Sequence, residues 1–272
     1  MTALNLVVAM SSEAGPLIEH FRLKAVHGER PQIYRNGSIN LVVTGMGATA
    51  VASGIGYLAG RIRPSRHSVW LNVGVAGHQS LEVGALRLVH KVTNRDCGRS
   101  SFPSLLIDSS VESAECTTVS RVEHDYVEDS LYEMEAFSFF NAATRWAALD
   151  LVHAVKIVSD NPTSPTRELT HQRITALVRA QAEQIDSAII QPLLHLAARL
   201  QRDSQVEILE HFSQRWHYSA ANRARLESLL LDFVSIMEHI DLGLEDLKKC
   251  DSREQVFTTL EQAIAGAKLH LS

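Results

Sequence analysis

Residues 132–146 read YEMEAFSFFNAATRW, Tyr132 to Trp146: two carboxylates around a methionine, leading into an apolar run with no helix breaker. Apolar side chains at Met134, Phe137, Phe140, Ala143 and Ala147 recur every three to four residues, the period of a helix that buries one face. On such a helix Glu133 and Glu135, two apart, point to opposite sides, so one of them faces a site formed at the helix start. Acidic residues in a first turn also complement the positive end of the helix dipole, by about 0.3–1 kcal/mol. Spacing alone therefore leaves a structural reading beside the functional one.

Just downstream, Val152 to Val158 reads as a buried strand that ends at Ser159-Asp160-Asn161-Pro162, where proline stops any regular element. The same pattern opens the chain. Leu4 to Met10 is a Val- and Leu-rich strand, with Ser11 and Ser12 as candidate caps of a helix from Glu13 to Phe21. Glu13 and Asp160 thus both sit at strand ends, where open α/β sheets place their ligands. Between them, Gln32–Arg35 and Ile39–Thr44 form a hairpin around the Asn36-Gly37 turn signal. Gly45 and Gly47 then precede a helix from Ala48 to Ile62, so backbone N–H groups there can approach an anion or a ribose; tight helix-to-sheet packing is the alternative. Val69–Val75 and Leu86–Val92 read as further strands, Thr93–Ser104 as a loop, and Leu105–Asp108 and Thr117–Val122 as short strands. After Pro165 the pattern becomes nearly continuous helix: Arg167–Leu200, Gln205–Trp216, Ala220–Leu242 and Arg253–His270. In the third of these, Leu226, Leu229, Leu230, Phe233, Ile236, Met237 and Ile240 keep a stripe that has to be buried.

Composition narrows the class. A chain of 272 residues, 45% apolar and 21% charged, suits one large domain or a domain with an appendage. A net charge of −5 and the lack of any basic run argue against a nucleic-acid partner. No stretch approaches the roughly 18 apolar residues of a membrane span, and the N-terminus has no basic region of a signal peptide. A cytoplasmic protein with a small-molecule substrate is expected. Cys97, Cys116 and Cys250 are widely spaced with no C-x-x-C pair, which reads as reduced thiols rather than a disulfide framework or zinc site. His20, His78, His124 and His153 form no metal-ligand spacing and read as solvated or structural, so no metal is expected.

Five collinear stretches resemble the purine nucleoside phosphorylase and 5′-methylthioadenosine/S-adenosylhomocysteine nucleosidase superfamily. They are VVAMSSEAGPL (Val7–Leu17), VVTGMGATAVASGIG (Val42–Gly56), LNVGVAGHQSLEVGAL (Leu71–Leu86), YEMEAFSFF (Tyr132–Phe140) and VKIVSDN (Val155–Asn161). The resemblance covers Leu4 to Asn161 and fades after about Leu200. It implies a three-layer α/β core with a central mixed sheet flanked by helices over residues 1–200, leaving residues 201–272 as an all-helical C-terminal extension. The implied activity is cleavage of the N-glycosidic bond of a purine nucleoside, with a methylthioadenosine-like nucleoside as the substrate that the resemblance suggests. Carried over by motif, Glu13 holds and deprotonates the attacking water, Asp160 protonates the purine N7, and Met134 and Glu135 contact the ribose. Glu133, Met46, Gly47 and Ser159 complete the implied substrate contacts. No cofactor is implied unless the enzyme is a phosphorylase using phosphate, and a homo-oligomer, a dimer, is the implied assembly.

The chemistry accounts for these residue types. The bond breaks through an oxocarbenium-like transition state, and a purine leaves readily only if protonated as it departs, so Asp160 has to carry a proton near neutral pH while Glu13 remains a base. Phosphorylases of the superfamily bring arginines to phosphate from the segments matching AMSSEAGPL and NVGVAG; neither holds one here, which favours water. Phosphorolysis and a non-catalytic nucleoside-binding or scaffold protein are the alternatives. Departures from the pattern are Val75 and His78 where the superfamily reads TGSAGG, Ala85 where it has aspartate, and a shorter stretch between Val92 and Leu131, the region that contacts the base. Thr117–Arg121, TTVSR, is the expected remnant of that region.

Overall fold

A computed structural model describes residues 3–236 and 244–271. Two compact units divide the chain, one of Met1–Ile62 with Ser68–Ala197, the other of Arg63–His67 with Ala198–Ser272. The first unit is built on a mixed sheet. Its strands are β1 (Leu4–Val8), β2 (Lys24–Ala25), β3 (Gln32–Asn36), β4 (Ile39–Val43), β5 (Val69–Gly77), β6 (Leu86–Asn94), β7 (Ser100–Ser101), β8 (Ser113–Thr118), β9 (Leu131–Glu133) and β10 (Val152–Asp160). β1 pairs in parallel with β4 and β5, and β10 lies between β5, parallel to it, and β6, antiparallel to it. From β6 the sheet continues in parallel to β8 and β9, and β9 returns to β5 where Tyr132 pairs with Gly77, which closes a ring of five strands.

Helices α1 (Ser11–His20) and α4 (His171–Ile185) pack together, as do α2 (Ala48–Ile62) and α3 (Ala136–Ala143). The second pair buries Val51, Ile55, Leu58, Phe137 and Phe140 against Val7, Val42, Trp70, Val152 and Ala154 of the strands. Alternate strand residues supply that face, as a period of two requires. This is the α/β sheet with flanking helices expected from the sequence. The Asn36-Gly37 turn joins β3 to β4 with Gly37 at φ +56°.

Several local expectations need correction. Residues 105–108 form no strand, and β8 starts at Ser113 rather than Thr117. Its sequence SAECTT lacks apolar alternation; pairing with β6 and β9 places it, not local pattern. Ser11 and Ser12 are the first residues of α1, and Met10 occupies the N-cap position. The helix anticipated with Glu133, Met134 and Glu135 in its first turn begins only at Ala136, because Glu133 lies on β9 and Met134 and Glu135 link strand to helix. The separate helices anticipated at 167–200 and 205–216 are instead α4, a π turn at Asp186–Ile190 and one long helix α5 (Gln191–Arg215).

The second unit holds α6 (Ala220–Ile236), α7 (Leu244–Lys248) and α8 (Arg253–Leu271) with the end of α5. Ile208, Phe212, Leu226, Leu230, Phe233, Leu247, Val256 and Leu260 form its core, so Leu226, Leu230 and Phe233 of the expected stripe are buried, with Leu229 partly buried against them. Met237, Ile240 and the helix end at Leu242 lie outside the described residues. Among the described residues no helix is long and apolar enough to cross a membrane.

Candidate active site

The strand ends of the first unit converge on a cavity of about 510 Å³, within the size range of small-molecule sites. Glu13, the third residue of α1, folds back over the end of β1: Oε2 accepts the N–H groups of Ala9 and Met10, both at 2.9 Å, and Oε1 accepts that of Val75 at 3.1 Å. Three backbone donors thus fix the carboxylate where β1 and β5 end. Burial pushes its carboxyl above the ordinary range, against the opposing pull of Lys156 and those N–H groups.

Asp160 ends β10, beside β5. Its Oδ1 accepts the Ser159 hydroxyl, and its Oδ2 accepts those of Tyr126 and, at 2.6 Å, Thr166. Ser159 also reaches the Ala76 carbonyl at 3.3 Å. Tyr126 stands against the Tyr132 ring, with 5.3 Å between centroids, and directly over Gly77, where any side chain would collide with its hydroxyl. Burial and the hydrogen bond to Asp160 push the Tyr126 phenol up.

Glu133 and Glu135 both line this cavity, contrary to the opposite-sides expectation, because neither is on the helix. Glu133 Oε2 accepts the N–H groups of Glu135 (2.9 Å) and Ala136 (2.7 Å), satisfying donors that the first turn of α3 leaves open. Its Oε1 accepts the Thr118 hydroxyl at 2.5 Å, and Lys156 Nζ lies 2.8 Å from Oε2. Burial alone would raise the Glu133 carboxyl; Lys156 and these hydrogen bonds outweigh it and hold the group below the ordinary range. Glu135 Oε1 accepts the Gly47 N–H at 2.7 Å, an approach that uses the left-handed backbone of Gly47, φ +92°. Burial first, and then the neighbouring Glu133 charge, push the Glu135 carboxyl up to about 7.

Of the residues singled out by sequence, Glu13, Met46, Glu133, Met134, Glu135, Ser159 and Asp160 line one cavity, and Gly47 adjoins it through Glu135. Met46 stays exposed at its edge. The remnant TTVSR contributes Val119 to the wall and Thr118 to Glu133. Unanticipated were Tyr126, Thr166, Leu169, Thr170, His171 and Ile174 in the cavity wall, and Lys156, which reaches the site through its ion pair with Glu133. A lysine inside the apolar run Ala154–Val158 (AVKIV) is a signal for a buried partner; Tyr126 and Thr166, in irregular polar segments, carry none. His78 is buried: its Nδ1 accepts the N–H groups of Ser80 and Leu81, both at 3.1 Å, a structural role. His153 is also buried, with Nε2 2.9 Å from the Asp150 carbonyl, and His124 is exposed.

No protein-family model and no curated protein sequence matches the chain. Solved structures do. The apo 5′-methylthioadenosine nucleosidase of Arabidopsis thaliana is similar at 16% identity and TM-score 0.59, over 72% of this chain and 96% of that one. A futalosine hydrolase mutant of Helicobacter pylori is similar at 13% identity and TM-score 0.55, over 70% and 100%. The 5′-methylthioadenosine/S-adenosylhomocysteine nucleosidase of Neisseria meningitidis, in complex with methylthio-immucillin-A, is similar at 16% identity and TM-score 0.55, over 69% and 100%. The chain shares the α/β fold of these nucleosidase and hydrolase structures.

Proposed function

We propose that the protein is a purine nucleosidase that hydrolyses the N-glycosidic bond of its substrate. The observation that carries this reading is the convergence of Glu13, Glu135 and Asp160, from sequence positions far apart, on one nucleoside-sized cavity. In the proposed reaction the C1′–N bond breaks with its electron pair passing into the purine, and Asp160 delivers a proton to N7. Water adds to C1′ and gives a proton to Glu13, whose raised carboxyl is a stronger base than an exposed one. Glu135, once ionised, accepts two ribose hydroxyls, each worth about 1.5–3 kcal/mol as a charge-assisted hydrogen bond.

Among the described residues, none of those lining the cavity is an arginine or lysine, which supports water over phosphate as the nucleophile. The nucleosidase and futalosine hydrolase folds that the chain shares support a 5′-substituted purine nucleoside as substrate. A cytoplasmic homodimer belongs to the same proposal, to be tested by light scattering. The deciding experiment is mass spectrometry of protein incubated with methylthioadenosine, adenosylhomocysteine, inosine and futalosine, with and without phosphate. Free base and free sugar without phosphate are expected. Sugar phosphate would establish phosphorolysis, and binding without product from any nucleoside would establish a non-catalytic protein.

A further inference from the structure

Every residue of β10 is buried, including Lys156, which is 1% exposed. An ammonium taken out of water persists only where its partners replace hydration. Lys156 Nζ donates to Asn72 Oδ1 at 2.7 Å and lies 2.8 Å from Glu133 Oε2. Asn72 is itself oriented by its Nδ2, which donates to the Val7 carbonyl at 3.0 Å. On a third side stands Gly74, where a Cβ would lie 3.2 Å from both Lys156 Nζ and Glu13 Oε1. The missing side chain is what lets the ammonium and the Glu13 carboxylate face each other. Glu135 joins the cluster through its N–H bond to Glu133.

We propose, on the reading that Glu13 is the general base, that Lys156 is a positioning residue: it is the shared countercharge of Glu13, Glu133 and Glu135 and keeps Glu13 ionised and able to take a proton. One ammonium thus serves three carboxylates. It anchors Glu133 directly, so Glu133 stays charged and braces the start of α3, and what remains of its field acts on Glu13 across Gly74. Facing Lys156 are Glu13 from α1, Asn72 from β5, Cys116 from β8, Glu133 from β9 and Glu135 ahead of α3. Glu123, Tyr126, Asp160 and His171 also line the cavity and are common to every variant below.

The test is the pH profile of kcat/KM for wild type, Lys156→Arg, Lys156→Met, Glu133→Gln and the Lys156→Met/Glu133→Gln double variant. Loss of the cation moves the acid limb of Lys156→Met upward by about one pH unit, a tenfold loss on that limb. Lys156→Arg keeps the wild-type midpoint, Glu133→Gln moves it downward, and the double variant returns toward wild type because the charge count is restored. A midpoint unmoved in Lys156→Met, or a double variant shifted as far as the single, overturns the proposal. If Lys156→Met fails to fold, an unmoved limb in Glu133→Gln overturns it. If wild-type protein turns over no nucleoside, the functional reading fails, and Lys156 is then tested by NMR titration of the side-chain carboxyl carbons in 13C-glutamate protein. The Glu13 and Glu135 midpoints rise in Lys156→Met and fall in Glu133→Gln; unchanged midpoints refute the assigned role.

Discussion

Replacing Glu135 by glutamine is expected to make the protein more stable and less active, with the gain in stability building up between about pH 4.5 and 7 and complete above it. The Glu135 carboxyl is pushed from 4.5 up to about 7 by burial and by Glu133. An unfolded chain ionises this group near 4.5, whereas the folded protein holds its proton until about pH 7. The stability conferred by that proton is complete below pH 4.5 and is lost as pH rises through about 7. The corresponding free energy is about 3 kcal/mol at the upper bound, since one pH unit is about 1.36 kcal/mol. Glutamine never ionises and keeps an oxygen for the Gly47 N–H, so Glu135→Gln avoids the loss. At about 2–4 °C per kcal/mol, the variant should melt up to about 6–12 °C above wild type at pH 8 and level with it at about pH 4. Thermal melts of both proteins at the two pH values check this. A variant that is less stable at pH 8, or whose offset is the same at both, refutes the reasoning. The same substitution removes a carboxylate from the ribose, so KM for any substrate found should rise.

Asp160→Asn should retain the fold, since the amide oxygen can accept on one side while the amide NH2 donates to hydroxyls that turn to accept on the other, and cleavage should fall about 100- to 10 000-fold, the usual worth of a general acid; unchanged turnover removes Asp160 from the mechanism. Within α2, Gly54→Ala places a methyl 2.5 Å from Thr44 Cγ2 and should cost about 1–3 kcal/mol by overpacking. Gly56→Ala, with nothing within 4 Å of the new Cβ, should instead stabilise by about 0.5–1 kcal/mol in a urea melt. Phe212→Ala should cost the helical unit about 3–5 kcal/mol, read as early loss of helical circular dichroism.

What local sequence could reveal follows from how local the determinants are. The β3–β4 hairpin needs only the Asn36-Gly37 turn and the apolar runs around it, and α2 fills the expected span from Ala48 to Ile62. Glu13 and Asp160 are visible because a strand hands over to a polar break beside each of them. β8 is not visible: a polar SAECTT segment becomes a strand because β6 and β9 supply its hydrogen bonds. The stretch from Tyr132 misleads for a related reason. The carboxylate of Glu133 is held by Lys156 and Thr118, residues distant in sequence, and that attachment holds Glu133 on β9, so α3 starts only at Ala136. Periodicity registers the helix and cannot register the ion pair that delays it.

The place of β10 in the sheet has a consequence for how the protein is made. It slots between β5 and β6, which leave the ribosome well before it does. Until residues 152–160 emerge, both of those strands present an unpaired edge, and such edges template pairing with other chains. Contacts that close so late in the sequence also form slowly. Synthesis therefore passes through an interval of aggregation hazard that ends when this segment inserts, and a premature stop upstream of Val152 should yield insoluble protein rather than a soluble, inactive fragment.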